Sequence, residues 1–175
     1  IEADNAQQAV MPAPRVISKE VAFLMNTALR GVVQNGTARQ AKALGRTDIA
    51  GKTGTTNNKL DAWFAGYYPN LVVTAWVGYD NPISLYEYAS QVTLPLWIDF
   101  MRGALKDKPE RPLEPPETVV IKKINPNTGL LDTHNKASSI EEYFRKDLVP
   151  DDGTARITEE TTENPEYEIN ESPAK

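Results

Sequence analysis

The chain of 175 residues has no cysteine. That excludes thiolate catalysis and Cys-ligated metals, and leaves the redox compartment open. Histidine occurs once, as His134 in a polar stretch. With no second imidazole or thiol near it, a metal centre has no donor set, and His134 reads as a solvated loop residue. No run approaches the ~18 consecutive apolar residues that would span a bilayer. A basic stripe is missing too. The net charge is −5, but residues 151–175 hold eight acids against Arg156 and Lys175, leaving residues 1–150 at +1. A nearly neutral body offers nothing to nucleic acid. The first residues, Ile1-Glu2-Ala3-Asp4, lack a start methionine, a basic n-region and an apolar h-region. The chain reads as a piece of something longer, with any anchor outside it.

What is present has the makings of one domain with a core, since 40% of the residues are hydrophobic. Residues 1–16 are polar, end near Met11-Pro12-Ala13-Pro14, and read as a linker. Ser18 is a natural N-cap, with Glu20 at the positive end of the helix dipole. Val21, Leu24, Met25, Ala28, Leu29, Val32 and Val33 follow at helical spacing and predict one apolar face. Asn35-Gly36 should close that helix, with Gly36 in the left-handed conformation. Thr37 to Arg46 reads as loop plus a short helix.

Three strands are predicted next, over roughly 48–56, 61–68 and 71–79. In the second and third, both alternating sets are apolar, which predicts cover on both faces. Their connections are too short for crossovers, so the strands should form an antiparallel meander. Leu94 to Leu105 predicts a helix with Pro95 in its first turn. Four prolines between Lys106 and Pro116 make a semi-rigid spacer. Val119–Ile124 and Leu130-Leu131, flanking Asn125-Pro126-Asn127-Thr128-Gly129, predict a hairpin. Residues 151–175 are acidic, nearly free of apolar side chains, and expected to be disordered.

The chemistry concentrates in Gly51-Lys52-Thr53-Gly54-Thr55-Thr56. A phosphate loop needs G-x-x-x-x-G-K-[ST], and the first glycine would fall on Arg46. The stretch also leads into a polar turn instead of the helix whose N-terminus would hold the anion. A nucleotide site is therefore excluded. The same residues contain Lys-Thr-Gly, one of three motifs of penicillin-recognising serine enzymes. A peptide can lie along such a strand and use its free backbone groups. Gly54 removes a side chain that would hold the peptide off. Lys52 adds a cation, and Thr53 and Thr55 supply hydroxyls for a terminal carboxylate. Taken alone, the tripeptide is a weak signal, since a surface-strand lysine between threonines is common.

Its surroundings are more specific. Gly51–Asn57, Asp61-Ala62-Trp63-Phe64-Ala65-Gly66-Tyr67 and Ala75-Trp76-Val77-Gly78-Tyr79-Asp80-Asn81-Pro82 closely resemble the transpeptidase domain of class A penicillin-binding proteins. Leu29-Arg30-Gly31-Val32-Val33 with Gly36-Thr37-Ala38, and Leu94–Met101, match in order as well. The resemblance covers roughly 16–150, with Ile83 to Gln91 matching less well. The spacer and hairpin are most like a Gram-negative branch of that family.

The resemblance implies an α+β fold, part of a serine β-lactamase/DD-transpeptidase-like domain: an antiparallel sheet with helices on both faces, a small hairpin extension and a disordered tail. It implies a linker over 1–16, the C-terminal portion of the transpeptidase domain over 17–108, the spacer and hairpin over 109–150, and the tail over 151–175. The parent would be a periplasm-facing, membrane-anchored, bifunctional peptidoglycan synthase, also carrying glycosyltransferase activity. Its partners would be D-Ala-D-Ala stem peptides, β-lactams and the upstream part of the domain, with no cofactor, metal or nucleic acid.

By that resemblance Lys52 is a catalytic residue, while Thr53, Gly54 and Thr55 bind substrate. The Thr55 N–H would be one oxyanion-hole donor, and Trp63 and Phe64 would be core. The family's S-x-x-K nucleophile motif matches only Ser172-Pro173-Ala174-Lys175 at the end of the tail, which is the wrong place, and Ser-x-Asn does not occur. The chain thus carries one wall of a site without its nucleophile. Two alternatives stay open: a carboxypeptidase or β-lactamase with water as acceptor, and a non-catalytic peptide-binding module.

Overall fold

Ser18 stands in an extended conformation, and its Oγ accepts the N–H of Val21 at 3.3 Å. This opens helix α1 (Lys19–Gln34). The computed structural model describes residues 14–134 and 138–152. Most of the expected linker, nearly all of the expected tail and the Ser172–Lys175 match lie outside the described residues.

The apolar row expected to be buried on α1 is rotated. Phe23 and Val33 are buried, whereas Val21 and Met25 are exposed. The inward side is mixed because the sheet offers it a tyrosine hydroxyl: Asn26 Nδ2 donates to Tyr67 Oη at 3.0 Å. Gly36 follows the helix but has no positive φ. Its reason is steric, because a Cβ there would come within 2.9 Å of Val32 Cα and O. The 36–38 turn folds back on α1, with the N–H groups of Gly36 and Ala38 both donating to Val32 O at 3.1 Å. A 3₁₀ helix (Arg39–Leu44) comes next, and Gly45, at φ 66°, ends it in the left-handed region.

Strands β1 (Ala50–Thr55), β2 (Asp61–Tyr68) and β3 (Leu71–Gly78) form an antiparallel meander in that order. Thr53 pairs with Phe64 and Lys52 with Ala65. One face therefore carries Gly51, Thr53, Thr55 and Phe64, and the other Lys52, Gly54 and Trp63. Helix α2 (Ala89–Ala104) packs on the first face. There the Phe64 and Trp97 rings meet edge-on at 4.9 Å, and Trp97 Nε1 donates to Val73 O at 3.0 Å. The core gathers Val33, Ile49, Phe64, Leu94, Trp97 and Met101. α1 reaches the opposite face through Tyr67.

Helices thus lie on both faces, as expected, but the second face is covered only toward Tyr67. Trp63, Val72 and Trp76 are 43%, 74% and 46% exposed. Phe64 is core and Trp63 is not. Trp63 instead leans on Trp76 at a 5.9 Å ring separation.

α2 begins five residues earlier than the apolar spacing indicates, so Pro95 lies inside it and not in its first turn. Tyr88 makes the start in place of an apolar signal. Its N–H donates to Gln91 Oε1 at 3.1 Å, and its carbonyl accepts from Gln91 and Val92. Pro95 has no N–H to give to the helix.

Just before β1 lies a buried ion pair. Arg46 is bidentate to Asp48, with Nε–Oδ1 at 2.9 Å and NH2–Oδ2 at 2.7 Å, and the Asp48 side chain is 1% exposed. Arg46 also donates to the carbonyls of Lys108 and Pro109, and Asp48 accepts the Arg111 N–H at 2.8 Å. The proline-rich segment is therefore bound back to the start of β1. Burial pushes the Asp48 carboxyl up, but the Arg46 hydrogen bonds and the Arg111 N–H outweigh it, so its pKa lies below the ordinary value.

The contacts divide the chain into two units, Ile1–Pro116 and Glu117–Lys175. In the second, β4 (Val119–Ile124) pairs antiparallel with β5 (Ile140–Arg145). The expected partner, Leu130-Leu131, contributes a single bridge between Leu131 and Ile124. The turn is short: Gly129 N–H donates to Asn125 O, and Gly129 has φ 73°. β5 escapes the apolar pattern because Glu141 and Glu142 interrupt its alternation; in the ladder they stand opposite Lys123 and Lys122.

Asp48→Asn should destabilise the first unit by about 3 kcal/mol, since it leaves Arg46 buried without its counter-charge. Denaturant unfolding at neutral pH measures this. The depressed carboxyl adds stability that is present above its unfolded pKa and lost as pH falls through the lower folded value. The wild type should therefore lose this increment below about pH 4, and the variant should not.

Candidate active-site strand

β1 is an edge strand, bonded to β2 alone among the described residues. Thr56 N–H donates to Asp61 O at 3.0 Å, which sets the phase of the ladder. In an antiparallel pair, alternate residues turn both backbone groups toward the partner. Gly54 and Lys52 share the phase of Thr56 and face β2. Thr53 and Thr55 therefore present N–H and C=O at the open edge. The hairpin end is fixed by side chains: Asp61 N–H donates to Thr56 Oγ1 at 2.8 Å, and Asp61 Oδ1 accepts from Trp76 Nε1 at 3.0 Å.

The four residues singled out by sequence stand together on this strand. The Lys52 side chain is exposed and its Nζ donates to Thr53 O at 2.9 Å, curling over the open edge. Thr53 Oγ1 lies 2.7 Å from Thr37 Oγ1. Thr55 Oγ1 accepts the Ala89 N–H, the first of α2, at 3.2 Å. With that lone pair engaged, the Thr55 hydroxyl proton is free to point elsewhere. Gly54 is flanked by space, since a Cβ there would lie 3.4 Å from Trp63 Cβ. The fold itself does not demand glycine at 54. Gly51 differs, because its Cβ would come within 2.7 Å of Phe64 Cζ and 2.8 Å of Ala65 O.

Two contributors escaped sequence reasoning. Thr37 was visible only as part of Gly36-Thr37-Ala38, and its approach to Thr53 depends on the turn after α1. The Ala89 amide carries no side-chain signal at all. His134 is exposed, and its N–H donates to Asp132 Oδ1 at 3.0 Å. Among the described residues no group of three or more His, Cys, Asp or Glu could hold a metal ion, and no helix is long and apolar enough to cross a membrane.

Chemically, the strand offers an extended ligand main-chain groups along one edge. An ammonium and hydroxyl donors stand beside them for an anion.

Comparison with known proteins gives the family. Residues 2–99 match the family model described as penicillin binding protein transpeptidase domain. Penicillin-binding protein 1A of Pseudomonas aeruginosa is 43% identical over 141 residues, covering 79% of this chain and 17% of that protein. Its counterpart in Neisseria gonorrhoeae is 41% identical over 143 residues, covering 81% and 16%. A crystal structure of penicillin-binding protein 1A from Haemophilus influenzae superposes with a TM-score of 0.72 at 40% identity, covering 78% of this chain and 22% of that one. The chain spans about a sixth of the length of the curated relatives it matches.

The two glycines of the strand should respond differently to a methyl group. Gly51→Ala should cost about 1–3 kcal/mol of unfolding free energy through overpacking. Gly54→Ala should stay within about 0.5 kcal/mol of the parent. Parallel denaturant titrations of the two variants check the contrast.

Proposed function

From the premise that this chain belongs to the penicillin-binding protein transpeptidase domain family, we propose that it forms the C-terminal wall of a DD-transpeptidase active site, with β1 as its peptide-binding edge. The observation that carries the reading is the open edge of β1, with Thr53 and Thr55 backbone groups outward and Lys52 beside them. Residues 17–108 would supply the transpeptidase portion. Residues 109–150 would form an extension, whose first residues bind back toward Asp48.

The reaction is acyl transfer through an acyl-serine. A serine outside this chain attacks the carbonyl of the D-Ala-D-Ala bond, the terminal D-alanine leaves, and an amine of a second stem peptide takes the acyl group. A β-lactam imitates the donor and acylates the same serine. Thr53 and Thr55 would donate their hydroxyl protons to the terminal carboxylate. Lys52 would release Thr53 O and turn toward ligand, adding positive charge where negative charge develops. The outward N–H of Thr55 would pair with a second amide to stabilise the oxyanion, a contribution of about 3–4 kcal/mol per donor. Gly54 would let the ligand backbone approach. The parent protein would be a bifunctional, membrane-anchored synthase working on the periplasmic side, with glycosyltransferase activity elsewhere in its chain.

Two results follow. The 175-residue chain alone should form no covalent β-lactam adduct, because its sequence holds no nucleophile motif ahead of β1; an adduct in intact-mass spectrometry would refute the assignment. In the full-length protein, Lys52→Ala should slow acylation by labelled penicillin about a hundredfold or more with the melting temperature unchanged. Acylation at the parent rate would remove the role given to Lys52.

A further inference from the structure

The turn after α1 is built to deliver one hydroxyl to β1. The N–H groups of Gly36 and Ala38 both donate to Val32 O, Ala38 is fully buried, and Gly36 has no room for a Cβ against Val32. Between these two fixed residues Thr37 is exposed, with its Oγ1 2.7 Å from Thr53 Oγ1. We infer that Thr37 is a positioning residue for carboxylate recognition: it donates its proton to Thr53 Oγ1 and so aims the Thr53 hydroxyl proton at the ligand.

The inference rests on the proposed function and deepens it. A hydroxyl has one proton, so in a pair only one oxygen donates to the other. If Thr53 donated to Thr37, its lone pairs would face an incoming carboxylate and repel it. With Thr37 as donor, both protons run in one direction, from Thr37 to Thr53 and from Thr53 to the anion. Thr55 is arranged the same way by a different donor, since the Ala89 N–H occupies its oxygen. Each of the two ligand-facing hydroxyls thus has a partner from the fold on its acceptor side. Lys52 Nζ, held on Thr53 O, brings a cation to the same end of the strand. A carboxylate fits this set, whereas a neutral ester would accept the hydrogen bonds without the charge.

The experiment measures second-order acylation by a penicillin in the full-length protein, for Thr37→Val, Thr37→Ser, Thr53→Val and Lys52→Ala. Each is run with the free acid and with the penicillin whose ring carboxylate is a methyl ester, and melting temperatures are recorded alongside. Thr37→Val should slow acylation by the acid about tenfold, and should slow the already slower reaction of the ester by a smaller factor, since the ester takes the same hydrogen bond without the charge. Thr37→Ser, which keeps the donor, should restore the parent rate within about twofold. Thr37→Val at the parent rate with Thr53→Val slowed would overturn the inference and leave the proposed function standing. So would an equal slowing of acid and ester, which would mark Thr37 as merely structural. Parent rates for Thr53→Val and Lys52→Ala together would instead overturn the site reading beneath it. If Thr37→Val lowers the melting temperature, Thr37→Ala against Thr37→Ser reads the same donor loss at smaller volume.

Discussion

A strand can present its edge to a ligand only if it is held rigidly from one side, and that constraint organises the first unit of this chain. β1 draws its ladder from β2 alone. An edge strand held so lightly would fray, or pair with another chain. Here both of its ends are tied. At the start, the buried Arg46–Asp48 pair fastens the approach to β1 to residues 108–111. At the far end, Thr56, Asp61 and Trp76 form a chain of hydrogen bonds across all three strands. Underneath, Gly51 and Gly66 leave room for Phe64 and Trp97 to press against the sheet, since a Cβ at either would come within 2.7 Å of a ring carbon. Among the described residues no second strand pairs with its outer edge.

Those supports and the chemistry share residues. Thr55 receives the first amide of α2, and Thr53 meets the hydroxyl of the turn after α1. The two helices flank the hydroxyl-bearing positions of β1 and set which lone pairs are already engaged. What faces outward, the hydroxyl protons, the outward amides and an exposed ammonium resting on Thr53 O, is a donor set suited to a peptide carboxylate. Donors fixed before the ligand arrives need little reorganisation in the reaction, which is where catalysis by preorganised dipoles gains most. The sequence has neither S-x-x-K ahead of β1 nor Ser-x-Asn, so under the proposed function the nucleophile would come from outside it.

Much of this was legible in the residues. Short connections dictated the antiparallel meander, Ser18 marked the start of α1, and Lys52 to Thr55 marked the edge strand. The misreadings have physical causes. α1 turns Phe23 and Asn26 inward and leaves Met25 exposed, because tertiary hydrogen bonding to Tyr67 outweighs the apolar count. α2 starts at Ala89 by polar capping from Tyr88 and Gln91, which hydrophobic spacing does not register. β5 places Glu141 and Glu142 opposite Lys123 and Lys122, and sequence alternation does not register such a strand either. Trp63 reads as core because both alternating sets of the second strand are apolar, yet it lies on the part of the sheet left open beyond Tyr67. Thr37 could not be found from spacing, since its meeting with Thr53 is made by a turn folded back on Val32.

The most direct test is a crystal structure of the full-length protein acylated by a penicillin. The account predicts that the ligand lies antiparallel along the outer edge of β1, with the Thr55 N–H about 2.7–3.1 Å from the acyl oxygen. The Thr53 and Thr55 hydroxyls should lie on the carboxylate, and Lys52 Nζ should have left Thr53 O. A ligand bound away from β1, or a β1 edge covered by another strand of the protein, would contradict it.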